Sequence, residues 1–227
     1  MTDAILRPAL DADPRLVAGF TTRAFSPASE GVDAARARLA ETLGRPVASV
    51  GQVHGADVAV VRGAGHVPAH DGLVTDQAGL VLSVLAADCA LVLLADAEAG
   101  VVGACHSGWR GTVAGIVGET VRAMRRLGAE PRRTRAYLAP CISTEAFEVG
   151  EEVAAQFDEA VVMRRPEWPR PHVDLRTDLV RQLAEAGVGQ TEVAPGCTVS
   201  DGRFYSYRGE GGTAGRMLGF VGLRAAR

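Results

Sequence analysis

Apolar positions come in short blocks bounded by Gly, Pro and charged residues, and the period inside the blocks changes along the chain. Residues 17–22 read as a short early strand. Over residues 31–43 the period lengthens. Val32, Ala35, Leu39 and Leu43 recur at helical spacing, which predicts a helix stopped by Gly44. Residues 47–53 and 57–61 read as strands on either side of His54-Gly55, and the Gly- and Pro-rich residues 63–70 read as a loop. The longest apolar run, residues 80–94, exceeds an ordinary strand, and Ala87-Asp88 marks a bend between two. A membrane helix needs about 20 apolar residues; this run is shorter and Asp88 interrupts it, so it reads as buried strand.

Residues 101–105 form another apolar strand, followed directly by Ser107-Gly108-Trp109-Arg110-Gly111. A helix is predicted over residues 112–127, with Val113, Ile116, Val117, Val121 and Met124 on one face and Gly128 as its stop. Arg122, Arg125 and Arg126 lie near its C-terminus, where cations complement the helix dipole. Residues 135–138 read as strand, 150–157 and 174–186 as helices, and 192–198 and 215–223 as late strands. Strands and helices mix without regular βαβ alternation, which predicts an α+β fold. No repeat or linker interrupts the chain, so residues 1–227 are expected to form a single domain.

Composition narrows the function. At 227 residues and 47% hydrophobic, the chain can bury a sizeable core and is not a disordered segment. A formal net charge of −3 argues against nucleic acid as the partner. The sequence contains no Lys and no Asn, so an anion must be held by Arg or backbone amides, and no Schiff base to lysine can form. The first ten residues carry Asp3 and Arg7 and no long apolar core, so no secretory leader is expected. Cys89, Cys105, Cys141 and Cys197 make no CxxC pair, and reduced thiols in the cytoplasm are the expectation.

Three segments place a metal-capable residue at a strand edge or bend among small neighbours: Gln52-Val53-His54-Gly55, Ala87-Asp88-Cys89, and His106 to Gly111. His54, Cys89 and His106 would form a three-ligand set. A zinc held by three protein ligands keeps its fourth position for water or substrate and acidifies that water. The plainer alternative is a buried thiol and two hydrogen-bonded histidines, since the spacing matches no zinc-finger rule. The glycines around Arg110 lead into a predicted helix start, which suits an anion; a solvated arginine in a strand-to-helix turn is the alternative. Phe204 to Arg208, the Gly-rich stretch after it, and Arg216 could frame a planar base and a phosphate, or form an exposed hairpin loop. Cys141 stands without a CxxC partner and reads as a buried thiol.

Taken together, these segments resemble the bacterial laccase-domain family, once described as multicopper polyphenol oxidases and later as purine nucleoside phosphorylases. Gly51 to Gly55, Asp71 to Thr75, Ala87 to Cys89, and His106 to Thr112 carry the likeness, as do Pro140 to Ile142, Phe147 to Gly150, Cys197-Thr198, Ser206 to Arg208 and Thr213 to Met217. They occur in family order along nearly the whole chain. The resemblance implies β-sheets packed together with helices outside, in α/β/β/α-like layers. It implies a metal, zinc or copper, on His54, Cys89 and His106. It implies phosphorolysis of adenosine, inosine, guanosine and methylthioadenosine to base and ribose 1-phosphate, and deamination of adenosine. In that setting Gln52, Arg110, Arg208 and Arg216 are the candidate substrate and phosphate contacts, and Asp71 or Asp88 would move protons or orient a ligand histidine. The chain departs from the family at residues 24–30, where it is shorter and lacks an Asn-Leu-Gly element, and at Gly209-Glu210, where a second Arg and an Asp are common.

Three competing functions remain at this level. A copper oxidase would use two His and one Cys with Met217 as axial ligand, although five histidines in all are too few for a multicopper cluster. A non-catalytic metal-binding domain and a cysteine hydrolase built on Cys89 and His106 are the others.

Overall fold

The computed structural model describes residues 4–225. Its strands are β1 (Ile5–Leu6), β2 (Leu16–Thr21), β3 (Val47–Gly51), β4 (Val58–Val60), β5 (Gly65–Pro68), β6 (Gly72–Thr75), β7 (Val81–Ala86), β8 (Ala90–Asp96), β9 (Val101–Ser107), β10 (Arg135–Leu138), β11 (Val162–Met163), β12 (His172–Val173), β13 (Gln190–Val193) and β14 (Met217–Leu223). The helices are α1 (Gly31–Leu43), α2 (Trp109–Val113), α3 (Ile116–Arg126), α4 (Glu151–Ala154), α5 (Leu175–Glu185) and α6 (Tyr207–Glu210). One sheet has the order β1-β2-β14-β7-β3-β5 and the other β13-β10-β8-β9-β6-β4; β11 and β12 form a separate ribbon. Both six-stranded sheets mix parallel and antiparallel pairs, as in β3 with β7 (parallel) and β14 with β7 (antiparallel).

Period-two alternation explains the layering. Leu91 and Leu93 of β8 point into the core between the sheets, where they join Phe20, Leu82, Val84 and Met217 of the opposite sheet. Val92 and Leu94 point the other way, into a core shared with Ile116, Val117, Val121 and Leu179 of α3 and α5. Ala35 and Leu39 of α1 cover the far side of the first sheet with Val17, Val81 and Phe220. The fold is therefore α+β, with two mixed sheets face to face and helices outside.

Several elements differ from the sequence reading. Residues 63–70 are not wholly loop, because β5 pairs in parallel with β3. It lies at a sheet edge, where Gly and Pro are tolerated. The helix predicted over 112–127 is two helices, broken at Gly115, whose φ of 77° lies in the left-handed region. The helix predicted over 150–157 shrinks to α4. The strand predicted over 192–198 ends at Val193, because Pro195 lacks an N–H and Gly196 turns at φ 98°. Pairing resumes only as an isolated bridge between Cys197 and Cys141. The stretch after Phe204 is not a hairpin but the short α6. Among the described residues no helix is long and apolar enough to cross a membrane.

Candidate metal centre and cavity

The bend between β7 and β8 is where the chain passes from one sheet to the other, and Asp88 occupies it at φ 88°. This passage delivers Cys89 to the junction of the sheets. His54 arrives from the loop after β3 and also has a positive φ, 62°. His106 comes from β9 and is 2% exposed. One ligand atom from each of His54, Cys89 and His106 lies within 4.8 Å of the others. The imidazoles stand edge to face, with ring centroids 4.8 Å apart.

Asp71, wholly buried, organises this meeting. Its Oδ1 accepts the His54 backbone N–H at 3.0 Å and the His106 Nδ1–H at 2.8 Å. Its Oδ2 accepts the N–H groups of Val53 at 3.1 Å and Gly55 at 2.7 Å. Burial acts to raise the carboxyl pKa, but His106 and the backbone donors outweigh it and hold Asp71 below the usual range. An ionised Asp71 accepts only, so His106 donates from Nδ1 and keeps its Nε2 lone pair for a ligand. His54 stays exposed to the cavity, but partial desolvation and the facing His106, with a weaker push from Arg110, outweigh the opposite pull of Asp71; they lower its pKa and favour the neutral, metal-competent imidazole.

The site also has a shaped cradle. A Cβ added at Gly108 would lie 2.8 Å from His54 Nδ1 and 3.0 Å from Cys89 Sγ, so a side chain there would occupy the ground between two of the three residues. Burial pushes the Cys89 thiol up to about 12. As a free thiol it is a poor nucleophile, which weighs against the hydrolase reading, while a cation would favour its thiolate. Two nitrogens and one sulfur make the donor set that zinc or copper takes. Met217 does not join it: its Sδ accepts the Tyr205 N–H at 3.0 Å within the core between the sheets. His66, His70 and His172 bond elsewhere, to Ser49, Pro68 and Thr144.

The three residues open onto a cavity of about 490 Å³, within the size range of small-molecule sites. Trp109, Ile142, Phe147, Leu175 and Tyr207 give it an apolar and aromatic wall. The candidate polar contacts are distributed unevenly. Gln52 lines the cavity, but its amide is paired with the Leu85 backbone, donating at 2.7 Å and accepting at 2.9 Å. Arg208 lines it too, with its guanidinium on the carbonyls of Ala146 and Glu148. Arg110 is outside the lining, exposed and stacked over Trp109 at 4.2 Å. The helix that follows it, α2, has only five residues. Arg216 lines the cavity, hydrogen-bonds to the carbonyls of Ala214 and Gly215, and has no carboxylate partner among the described residues.

Asp88 is fully engaged. Oδ1 accepts the Thr198 hydroxyl and Oδ2 the Arg208 N–H, each at 2.6 Å. Sequence reading missed the anchoring role of Thr198 and the cavity residues Leu85 and Leu175, whose contacts join distant stretches and leave no local pattern. Glu210 accepts from Arg23 at 2.7 Å and from the Ser206 N–H at 3.0 Å, so it ties α6 to the segment that follows β2.

The profile of the family described as multi-copper polyphenol oxidoreductase laccase matches residues 22–224. A purine nucleoside phosphorylase of Streptomyces griseus is 44% identical over 201 residues, which cover 85% of this chain and 81% of that protein. A protein from an unknown prokaryotic organism named adenosine deaminase RL5 is 41% identical over 124 residues, 52% of this chain and 47% of its own. The crystal structure of YlmD from Geobacillus stearothermophilus superposes with a TM-score of 0.86 at 30% identity, covering 99% of this chain and 98% of that one.

Proposed function

The chain belongs to the family described as multi-copper polyphenol oxidoreductase laccase, and from that premise we propose that it is a metal-dependent purine nucleoside phosphorylase, with residues 1–227 acting as one unit. The observation that carries this reading is the convergence of His54, Cys89 and His106 on an aromatic-walled cavity that also holds Arg216. The name of the Streptomyces griseus relative supports it. The substrates proposed are adenosine, inosine, guanosine and methylthioadenosine with inorganic phosphate, and neither nucleic acid nor membrane is a partner. The cytoplasm is the proposed compartment.

His54, Cys89 and His106 would hold zinc, with copper as the alternative. Held there, such an ion would supply Lewis-acid chemistry toward the purine or toward a water. Trp109, Phe147 and Tyr207 offer faces for the planar base. Arg216 holds phosphate, since it lines the cavity, no carboxylate among the described residues opposes its charge, and the sequence has no Lys. A phosphate oxygen attacks the anomeric carbon of ribose, the C–N bond breaks, and its electrons pass to the purine, which takes up a proton. In deamination the glycosidic bond stays intact: water adds to the purine carbon that bears the amino group, the bond from that carbon to nitrogen breaks, and the nitrogen takes up a proton and leaves as ammonia; the partial relative named adenosine deaminase supports this second reaction. Asp71 orients His106, and Asp88, which lines the cavity, positions Thr198 and the start of α6.

A Cys89→Ala, His106→Ala double variant tests the metal's role. Loss of bound metal together with phosphorolysis is expected, and full phosphorolysis by the double variant would sink the metal-dependent reading. Arg216→Gln is expected to raise the KM for phosphate by about 10–100-fold, the range of one charge-assisted hydrogen bond, with little change in KM for the nucleoside. An equal rise in both would remove the phosphate assignment. A copper-dependent phenol oxidase is the second reading because the family's description names that chemistry; oxidation of a phenol by metal-verified protein would establish it.

A further inference from the structure

Two thiols outside the metal centre face each other. Cys141 and Cys197 pair across a parallel bridge, and the Thr198 N–H donates to the Cys141 carbonyl at 3.3 Å. Facing residues on adjacent strands lie about 4.8 Å apart, inside the roughly 4.4–6.8 Å window of Cα separations in disulfides. Both are free thiols; Cys141 is buried and Cys197 is half-buried.

Their surroundings differ as those of an attacking and a resolving thiol do. Cys197 Sγ accepts the Ser143 N–H at 3.2 Å. Burial acts to raise the Cys197 pKa, but hydrogen bonds from Ser143, Val199 and Ser200 outweigh it and hold the thiol below its ordinary value. The Arg176 guanidinium spans the pair. Its Nε donates to Cys141 Sγ at 3.4 Å, and its terminal nitrogen donates to the carbonyls of Cys141, at 2.8 Å, and Gly196. Burial raises the Cys141 thiol, and Arg176 offsets part of that effect. At Cys89 and Cys105 burial wins instead: the Arg216 charge near Cys89 and the Thr120 hydrogen bond to Cys105 do not offset it, and each thiol is pushed up to about 12.

We propose that Cys197 is a site of oxidation by hydroperoxides and that Cys141 resolves it to a disulfide. The Cys197 thiolate attacks one peroxide oxygen, the O–O bond breaks, and the other oxygen leaves as hydroxide or alkoxide. The sulfenic acid on Cys197 is then attacked by the Cys141 sulfur as it gives up its proton; the S–S bond forms and water departs. Two electrons pass from the thiol pair to the peroxide. The bridge lies directly behind the cavity wall. Thr198 holds Asp88, and Ile142 both lines the cavity and donates its N–H to the Asp88 carbonyl at 2.9 Å.

The test is to treat the protein as purified with hydrogen peroxide, quench with an alkylating reagent, and map peptides without reduction. The expected result is loss of two thiols per chain as a Cys141–Cys197 link that dithiothreitol reverses, with Cys89 and Cys105 still thiols. In Cys141→Ser, Cys197 should stop at the sulfenic acid and be labelled by dimedone. In Cys197→Ser, Cys141 should stay reduced at the same dose. Oxidation of Cys89 ahead of Cys197, or sulfinic acid at wild-type Cys197 with Cys141 free, would overturn the assignment.

Discussion

A single buried carboxylate, Asp71, fixes the backbone of the His54 loop and the ring of His106 at once. Asn at this position offers one acceptor oxygen where Asp offers two, and leaves two of its own hydrogens without acceptors. Asp71→Asn should therefore weaken metal affinity by about 10–100-fold, the usual range for partners of ligand histidines, as read by competition with a chelator; unchanged affinity would remove Asp71 from the site. Gly108→Ala tests the cradle from the other side. Its new Cβ would meet His54 Nδ1 and Cys89 Sγ, so bound metal per chain should fall while circular dichroism stays native. The three candidate ligands are legible in the sequence because each stands beside small residues at a strand end. The Asp71 bonds and the Thr198–Asp88 bond are not, because they join residues 16 to 110 positions apart.

Elements were readable wherever the local pattern alone decides them. α1 follows its predicted span, with Gly44 in the left-handed conformation as its stop. The split of residues 80–94 at Ala87-Asp88 is also as expected, but that β7 and β8 belong to different sheets depends on long-range pairing. Gly115 misleads because the apolar face continues across it, from Val113 to Ile116, while its φ of 77° breaks the helix. A Cβ at Gly115 meets no other atom within 4 Å. Gly115→Ala should thus carry only a backbone penalty of about 1–2 kcal/mol, or roughly 2–8 °C in Tm for a chain of this size. Phosphorolysis at 25 °C should be unaffected, and an unchanged Tm in a thermal melt would contradict the strained φ.

At the scale of the whole molecule, two sheets pack face to face and the site forms where chain segments from both meet. Acid stability should report on that junction. In the metal-free protein the His54 pKa lies below its ordinary 6.5, so the unfolded chain takes up this proton first. Stability then falls as pH drops through about 6.5 and levels off below the folded pKa. The Asp71 pKa lies below its ordinary 3.8, so its contribution is complete above that value and is lost as pH falls through the folded pKa. Urea midpoints against pH should show both steps, with the first absent in His54→Gln; a first step that survives this substitution would refute its assignment. The function itself is tested most directly by incubating metal-quantified protein with adenosine, with and without phosphate, and separating the products. Adenine and ribose 1-phosphate that appear only with phosphate and vanish on chelation are the predicted result; no conversion of any of the proposed nucleosides by protein carrying one metal per chain would contradict it.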